Sequence, residues 1–88
     1  MKNRDQIIKW VSKYFDTVQL TEDFNGNEGG VWISGEGEET YSNLTIYDYY
    51  TQSKMYELGV LSKWEEQLQK NGWYSEWYDA GTVMLWPI

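Results

Sequence analysis

The first chemistry that this sequence offers is a set of oxygen ligands for a calcium ion. Asp23, Asn25 and Asn27 stand at positions 1, 3 and 5 of a segment that begins like a helix–loop–helix calcium loop. Position 6 should then be glycine and is Glu28, and position 12 should be glutamate and is Ser34. The segment therefore predicts a polar turn between strands, and we expect no metal site.

Catalytic groups are scarce in the chain. It has no histidine and no cysteine, which removes the usual general base, a thiolate nucleophile and the ligands of structural zinc. No serine stands in a nucleophile-elbow sequence. Gly29-Gly30 and Gly35 are followed by a strand or by acids, whereas a phosphate-binding loop opens onto a helix in a positive field. We expect a protein that is not an enzyme and needs no cofactor.

The acidic residues are concentrated in one part of the chain. Residues 22–57 contain eight acidic residues and a single basic one, Lys54, so this segment alone has the −7 charge of the whole chain. A localised negative field repels nucleic acid and anionic membranes, and it attracts basic protein surfaces. The candidate partner-binding carboxylates are those of Glu22, Asp23, Glu28, Glu36, Glu38, Glu39 and Asp48.

Aromatic residues are the second unusual feature, with six Trp, eight Tyr and two Phe among 88 residues. The aliphatic residues could already fill most of a small core, so strand alternation should bring some rings to the sheet face away from the helices. Exposed rings are typical of binding hot spots, although cross-strand packing would use the same rings. The candidate aromatic anchors are Trp32, Tyr47, Tyr49 and Trp77.

The elements that must position these groups follow from periodicity and from turn residues. Asn3 and Gln6 form a capping-box pattern that begins a helix at residue 4. Residues 55–58 fit either a short strand or the first turn of the second helix. The full prediction is a helix over 4–15, strands over 17–21, 31–34 and 41–50, a helix over about 60–71 and a hairpin over 73–86.

This element order, α-β-β-β-(β)-α-β-β, predicts an α+β fold. Short turns between successive strands indicate one antiparallel sheet of five or six strands, with both helices on one face. At 88 residues, the chain is expected to form a single domain over 1–88. No apolar run approaches the roughly 20 residues that span a bilayer, and no export signal is evident. We therefore expect a cytoplasmic protein with no membrane partner.

Three functional hypotheses follow. The first is a non-catalytic interaction domain that docks on a basic, nucleic-acid-binding protein surface without contacting nucleic acid directly. In size and charge only, the chain resembles small acidic inhibitors made by phages and immunity proteins made by bacteria against nuclease toxins. The second is a small accessory or structural module, for example phage-related, that forms a homodimer through an aromatic sheet face. The third is a carbohydrate-binding site built from carboxylates and rings.

Overall fold

The computed structural model describes residues 1–88 and has an α+β architecture, as predicted. The chain has three helices and eight mostly short strands. In order they are α1 (Arg4–Val11), β1 (Gln19–Leu20), α2 (Glu22–Asn25), β2 (Val31–Ser34), β3 (Thr40–Tyr41), β4 (Leu44–Thr45), β5 (Tyr56–Glu57), β6 (Val60–Leu61), α3 (Ser62–Lys70), β7 (Trp73–Asp79) and β8 (Thr82–Pro87). None of the three helices has the length and hydropathy that crossing a membrane requires.

Helix α1 begins where the sequence predicts. The Asn3 side chain accepts a hydrogen bond from the Gln6 backbone N–H, and the Gln6 side chain accepts one from the Asn3 N–H, both at 2.9 Å. The regular helix ends at Val11 rather than at residue 15. Beyond it, Tyr14 N–H bonds to the carbonyl of Val11 in a tighter three-residue turn. This coil keeps Phe15 in the core although it lies outside the helix.

The central sheet is antiparallel and has the strand order β1-β2-β8-β7. Strand β2 pairs with β8 over four residue pairs, from Val31 opposite Leu85 to Ser34 opposite Thr82. Strand β7 pairs with β8 in the predicted C-terminal hairpin, with a bulge between Trp77 and Asp79. The C-terminal strand is therefore inside the sheet, and β7 lies at its edge.

The strands are divided among three sheets rather than joined in one. The segment predicted as a continuous strand over 41–50 is interrupted by a turn, because Ser42 and Asn43 both have positive φ, 53° and 66°. This turn joins β3 to β4. Residues 55–58 supply β5, which pairs with β6 through a turn at Leu58 and Gly59. Helix α3 consequently begins at Ser62, after β6, and not at residue 60.

The two faces of the central sheet are covered differently. Buried residues of α1 and α3 share one core with the inward-facing residues of β2 and β8. On the opposite face lies α2, a four-residue helix that the sequence analysis did not predict. Its Phe24 ring contacts Trp32 and Tyr78, each with ring centroids 4.9 Å apart. The outer face thus has a small aromatic cluster of its own, beside Met84, which is 1% exposed.

Candidate functional site

A cleft of about 580 Å³ opens between α3, strand β7 and the β5–β6 hairpin. Four acidic residues line it, together with Ser75 and Trp77, and no basic residue does. The four are Glu57 from β5, Glu65 and Glu66 from α3, and Glu76 from β7. The cleft is therefore a concave acidic site with one aromatic wall.

Helical spacing places the α3 residues at this cleft. Trp64 and Leu68 are four residues apart and face the core. The neighbouring row, Glu65 and Gln69, is turned toward the cleft, and the Gln69 amide donates to the Glu65 carboxylate over 3.4 Å. Glu66 is one position further round the helix and is exposed. An amphipathic helix thus packs its apolar face inward and holds carboxylates at the cleft wall.

Glu65 connects α3 to the edge of the sheet. One of its carboxylate oxygens, Oε2, accepts a hydrogen bond from the Ser75 backbone N–H at 3.0 Å. The other, Oε1, is buried without a hydrogen-bond partner. The negative charge of Glu65 is also near enough to act on Tyr47, whose pKa is raised mainly by burial and in smaller part by this charge. The carboxylate therefore has one oxygen that no donor in the molecule satisfies.

The aromatic wall is held from several directions. Trp77 donates its indole N–H to the carbonyl of Leu58 at 2.7 Å, and its ring lies 5.8 Å from Tyr47 and 5.0 Å from Tyr49. Tyr49 also contacts Tyr50, with ring centroids 5.1 Å apart. Tyr49, Tyr50 and Leu58 are 45%, 79% and 86% exposed. We call these three residues the apolar rim, of which Leu58 lines the cleft itself.

Two of the four predicted aromatic anchors, Tyr49 and Trp77, therefore meet at the edge of the cleft, whereas Tyr47 contacts Trp77 from inside the core and Trp32 lies elsewhere. Tyr47 is 4% exposed and belongs to the core. It lies on the helix-covered side because the segment over 44–61 folds back over the sheet, which alternation within one strand could not reveal. Trp32 is on the opposite face, against Phe24.

The predicted acidic residues are dispersed over α2 and the loops. Asp23, Glu28, Glu36, Glu38 and Asp48 are exposed, and Glu39 is half-buried in a second cleft of about 400 Å³ that Asp16 and Trp32 also line.

Glu22 differs from the other predicted acids because it has an internal role. Its carboxylate accepts from the Arg4 guanidinium at 2.6 Å and from the Gly29 N–H at 3.2 Å. The hydrogen bond from Arg4 is the main reason that the pKa of Glu22 is lowered to about 2. Glu22 thus ties the start of α1 to the loop before β2.

The sequence analysis did not select the four carboxylates of the cleft. Glu57 lies in the acidic segment, but Glu65 and Glu66 lie in the predicted second helix and Glu76 in the predicted hairpin, and none of the four is among the predicted site residues. The available signal was the run Trp64-Glu65-Glu66, in which acids flank a core residue on α3. No group of three or more acidic side chains has the arrangement of a metal site.

Comparison with protein-family models, with curated proteins and with solved structures finds no significant match to this chain. Its function is therefore argued from its own residues.

Proposed function

We propose that this protein is a non-catalytic interaction domain that docks, through its carboxylates, on a basic surface of a partner protein, in the manner of a small inhibitor or immunity protein. The observation that carries the proposal is the state of its charges. Of the 14 acidic residues, only Glu22 has a basic group within ion-pair distance, namely Arg4. The other carboxylates are not neutralised inside the molecule.

Unpaired exposed carboxylates contribute little to the stability of the protein that carries them, because they stay hydrated. Their summed field, however, attracts basic partners and raises the association rate, and it suppresses binding to anionic surfaces. Glu36, Glu38 and Glu39 are the densest group along the chain. In the proposal they guide the approach of the partner, together with Asp23, Glu28 and Asp48.

Aromatic side chains supply the short-range part of the same proposal. Large rings at the centre of an interface often provide most of its binding free energy. Trp77 lines the cleft and contacts the exposed Tyr49, so we assign these two rings as anchors, with Tyr47 packed against Trp77 from the core side. Trp32 is assigned to a separate contact on the outer sheet face.

Charge reversal tests the proposal directly. Tagged protein would be used to capture partners from a host-cell lysate at low and high salt, and association with the purified partner would be timed. Replacing Glu36, Glu38 and Glu39 by Lys should slow association by about tenfold or more at low salt. The matched variant with Asp at all three positions keeps the charge and should associate like the wild type.

Folding of both triple variants would be checked by thermal unfolding. We expect both to fold, because these loop residues make no ion pair that the substitutions would break. If the Lys variant associated as fast as the Asp variant, the carboxylates would not guide binding. If the capture returned no basic protein at either salt concentration, the proposal would fail.

The exposed apolar rim favours one second candidate, self-association. Tyr49, Tyr50 and Leu58 together present apolar side chains beside Trp77, and contiguous exposed apolar surface is typical of interfaces. A homodimer held by this rim should persist in high salt and dissociate on Tyr50→Ala. Light scattering after size exclusion measures this, and a monomer at high protein concentration would contradict it.

A further inference from the structure

The free edge of strand β7 bears on how a basic partner is bound. In the order β1-β2-β8-β7, β7 is seven residues long and has a paired neighbour on one side only. An unpaired strand edge presents backbone donors and acceptors that another chain can use. Natural domains commonly block such edges, so an edge that borders an open cleft is a candidate binding surface.

The acidic cleft follows this edge. Ser75, Glu76 and Trp77 are consecutive in β7, and all three line the cleft. Successive side chains of a strand point to opposite faces of the sheet. A cleft that all three border therefore lies along the backbone edge, and it is not confined to one face. These three residues span about 10 Å of strand.

Hydrogen bonding shows which backbone groups face the cleft. The Ser75 N–H is turned away from β8, since it donates to Glu65. In an antiparallel pair, residues alternate between bonding to the neighbouring strand and facing outward. Trp77, two residues later, accordingly directs its N–H to the same side as Ser75, before the bulge. The Glu65 carboxylate takes the Ser75 donor, whereas the Trp77 N–H has no hydrogen-bond partner outside the sheet.

The charges around the edge specify what can bind there. Glu57, Glu65, Glu66 and Glu76 have no basic partner, and one oxygen of Glu65 is buried without a hydrogen bond. Lysine or arginine side chains on an added strand would meet these carboxylates. A second copy of this chain would bring the same four carboxylates to the edge, so like-charge repulsion disfavours pairing of two β7 edges.

From the free edge, the cleft and its charge together, we infer that β7 is a strand-addition site for an extended basic segment of the partner protein. The backbone of the bound segment extends the central sheet beyond β7, as in other β-augmentation complexes. The basic side chains of the segment lie against the cleft carboxylates, and its apolar side chains contact Trp77 and the apolar rim. This inference rests on the proposed function, because it names the part of a basic partner that is bound.

The test uses a defined probe, a fluorescent nine-residue peptide of alternating lysine and valine. Its control is the same peptide with every backbone nitrogen methylated, which keeps the side-chain charges, removes every N–H donor and places methyl groups where the peptide backbone would have to approach β7. Binding is followed by fluorescence anisotropy, and hydrogen exchange of the Trp77 amide reports on strand pairing. We expect the methylated peptide to bind at least about tenfold more weakly, as loss of more than one backbone hydrogen bond implies. Only the unmethylated peptide should slow Trp77 exchange.

Two protein variants with the same charge change locate the site. Glu66→Lys changes an exposed cleft residue, and Asp16→Lys changes an exposed loop residue that does not line this cleft and has no part in the proposed binding surface. Weaker peptide binding by Glu66→Lys, with little effect of Asp16→Lys, supports the inference.

Three results would overturn it: equal binding of both peptides, equal effects of both variants, or no peptide binding at all. In each case, slower partner association in the Glu36, Glu38 and Glu39 reversal would still leave the proposed function standing. If the triple reversal did not slow association while the peptide results were as expected, the loops would have no guiding role and the edge site would still stand.

Discussion

Removing one hydroxyl tests how the core holds the aromatic wall of the cleft. The Tyr47 hydroxyl accepts a hydrogen bond from the Trp64 indole N–H at 2.8 Å and shares another with the Ser75 hydroxyl, also at 2.8 Å. Tyr47→Phe keeps the ring, and so keeps its contacts with Phe15 and Trp77. The substitution therefore isolates the hydrogen bonds from the packing.

The size of the effect follows from burial. Trp64 is 0% exposed, so its N–H would lose its acceptor with no water to replace it. An unsatisfied buried donor costs about 1–3 kcal/mol. Ser75 is only half-buried and can turn to solvent, so it adds little. We expect a loss of about 2 kcal/mol from a total that is roughly 4–13 kcal/mol for a chain of this length. The unfolding midpoint should fall by about 8–16 °C.

Urea unfolding followed by tryptophan fluorescence measures the loss, and an unchanged slope with denaturant shows that the native state is still compact. Tyr74→Phe is the control, because Tyr74 is exposed and makes no side-chain hydrogen bond in the structure; its effect should be below about 0.5 kcal/mol. A Tyr47→Phe variant as stable as this control would refute the reasoning, since it would mean that the buried Trp64 N–H does not depend on Tyr47.

Three further predictions concern stability. Glu22→Gln should lower the melting temperature above pH 4.5, and the difference from wild type should vanish as the pH falls toward 2. The reason is that protonation of Glu22 removes the Arg4 interaction that lowers its pKa. A deficit in melting temperature that does not depend on pH would contradict this. Gly59→Ala and Gly26→Ala both place a side chain at positive φ, 77° and 82°, but only at Gly59 would the new Cβ lie 2.8 Å from a backbone oxygen. By calorimetry Gly26→Ala should cost about 1–2 kcal/mol and Gly59→Ala clearly more, and equal costs would show that the steric contact relaxes. Asn3→Ala should cost about 1 kcal/mol by removing the cap of α1, and its effect on helix content is measured by circular dichroism.

Local signals account for what could be predicted from the sequence. The Asn3 and Gln6 pair formed the capping box that the pattern indicates. Gly72, two residues after α3, has the left-handed conformation that glycine commonly takes at the end of a helix, with φ 87°. The C-terminal hairpin needed only two β-prone runs and a short turn. In each case the signal lies within a few neighbouring residues, and the structure has the feature that the signal indicates.

Turns made by unusual residues were not predictable in the same way. The β3–β4 connection places Ser42 at φ 53°, and the β5–β6 connection places Leu58 at φ 51°. Residues other than glycine, asparagine and aspartate rarely adopt such backbone angles, so Ser42 and Leu58 do not themselves mark a turn, although their neighbours Asn43 and Gly59 are common turn residues. The first turn broke the strand expected over 41–50. The second converted the ambiguous segment over 55–58 into a hairpin that delays the start of α3.

Pairing between distant segments set the limit for the candidate site. Strand β2 pairs with β8 across about half of the chain, and no local pattern specifies that partner. Placing β8 between β2 and β7 makes β7 an edge, so the property that defines the proposed binding surface exists only after folding. Even a correct prediction of the β7–β8 hairpin left both of its strands as candidate edges.

The distribution of charge, like the strand order, differs between the sequence and the folded structure. The acidic loops and the cleft must therefore be tested separately. Along the chain, Glu65 and Glu66 are balanced by Lys63 and Lys70 on the same helix. In space, neither lysine forms an ion pair or lines the cleft, while Glu57 arrives there from the acidic segment. Counting charges by position therefore identified a field but not a site. If binding follows the field, reversals anywhere in the acidic loops should act alike; if it follows the cleft, Glu66→Lys should weaken binding more than an equal charge change at Glu28.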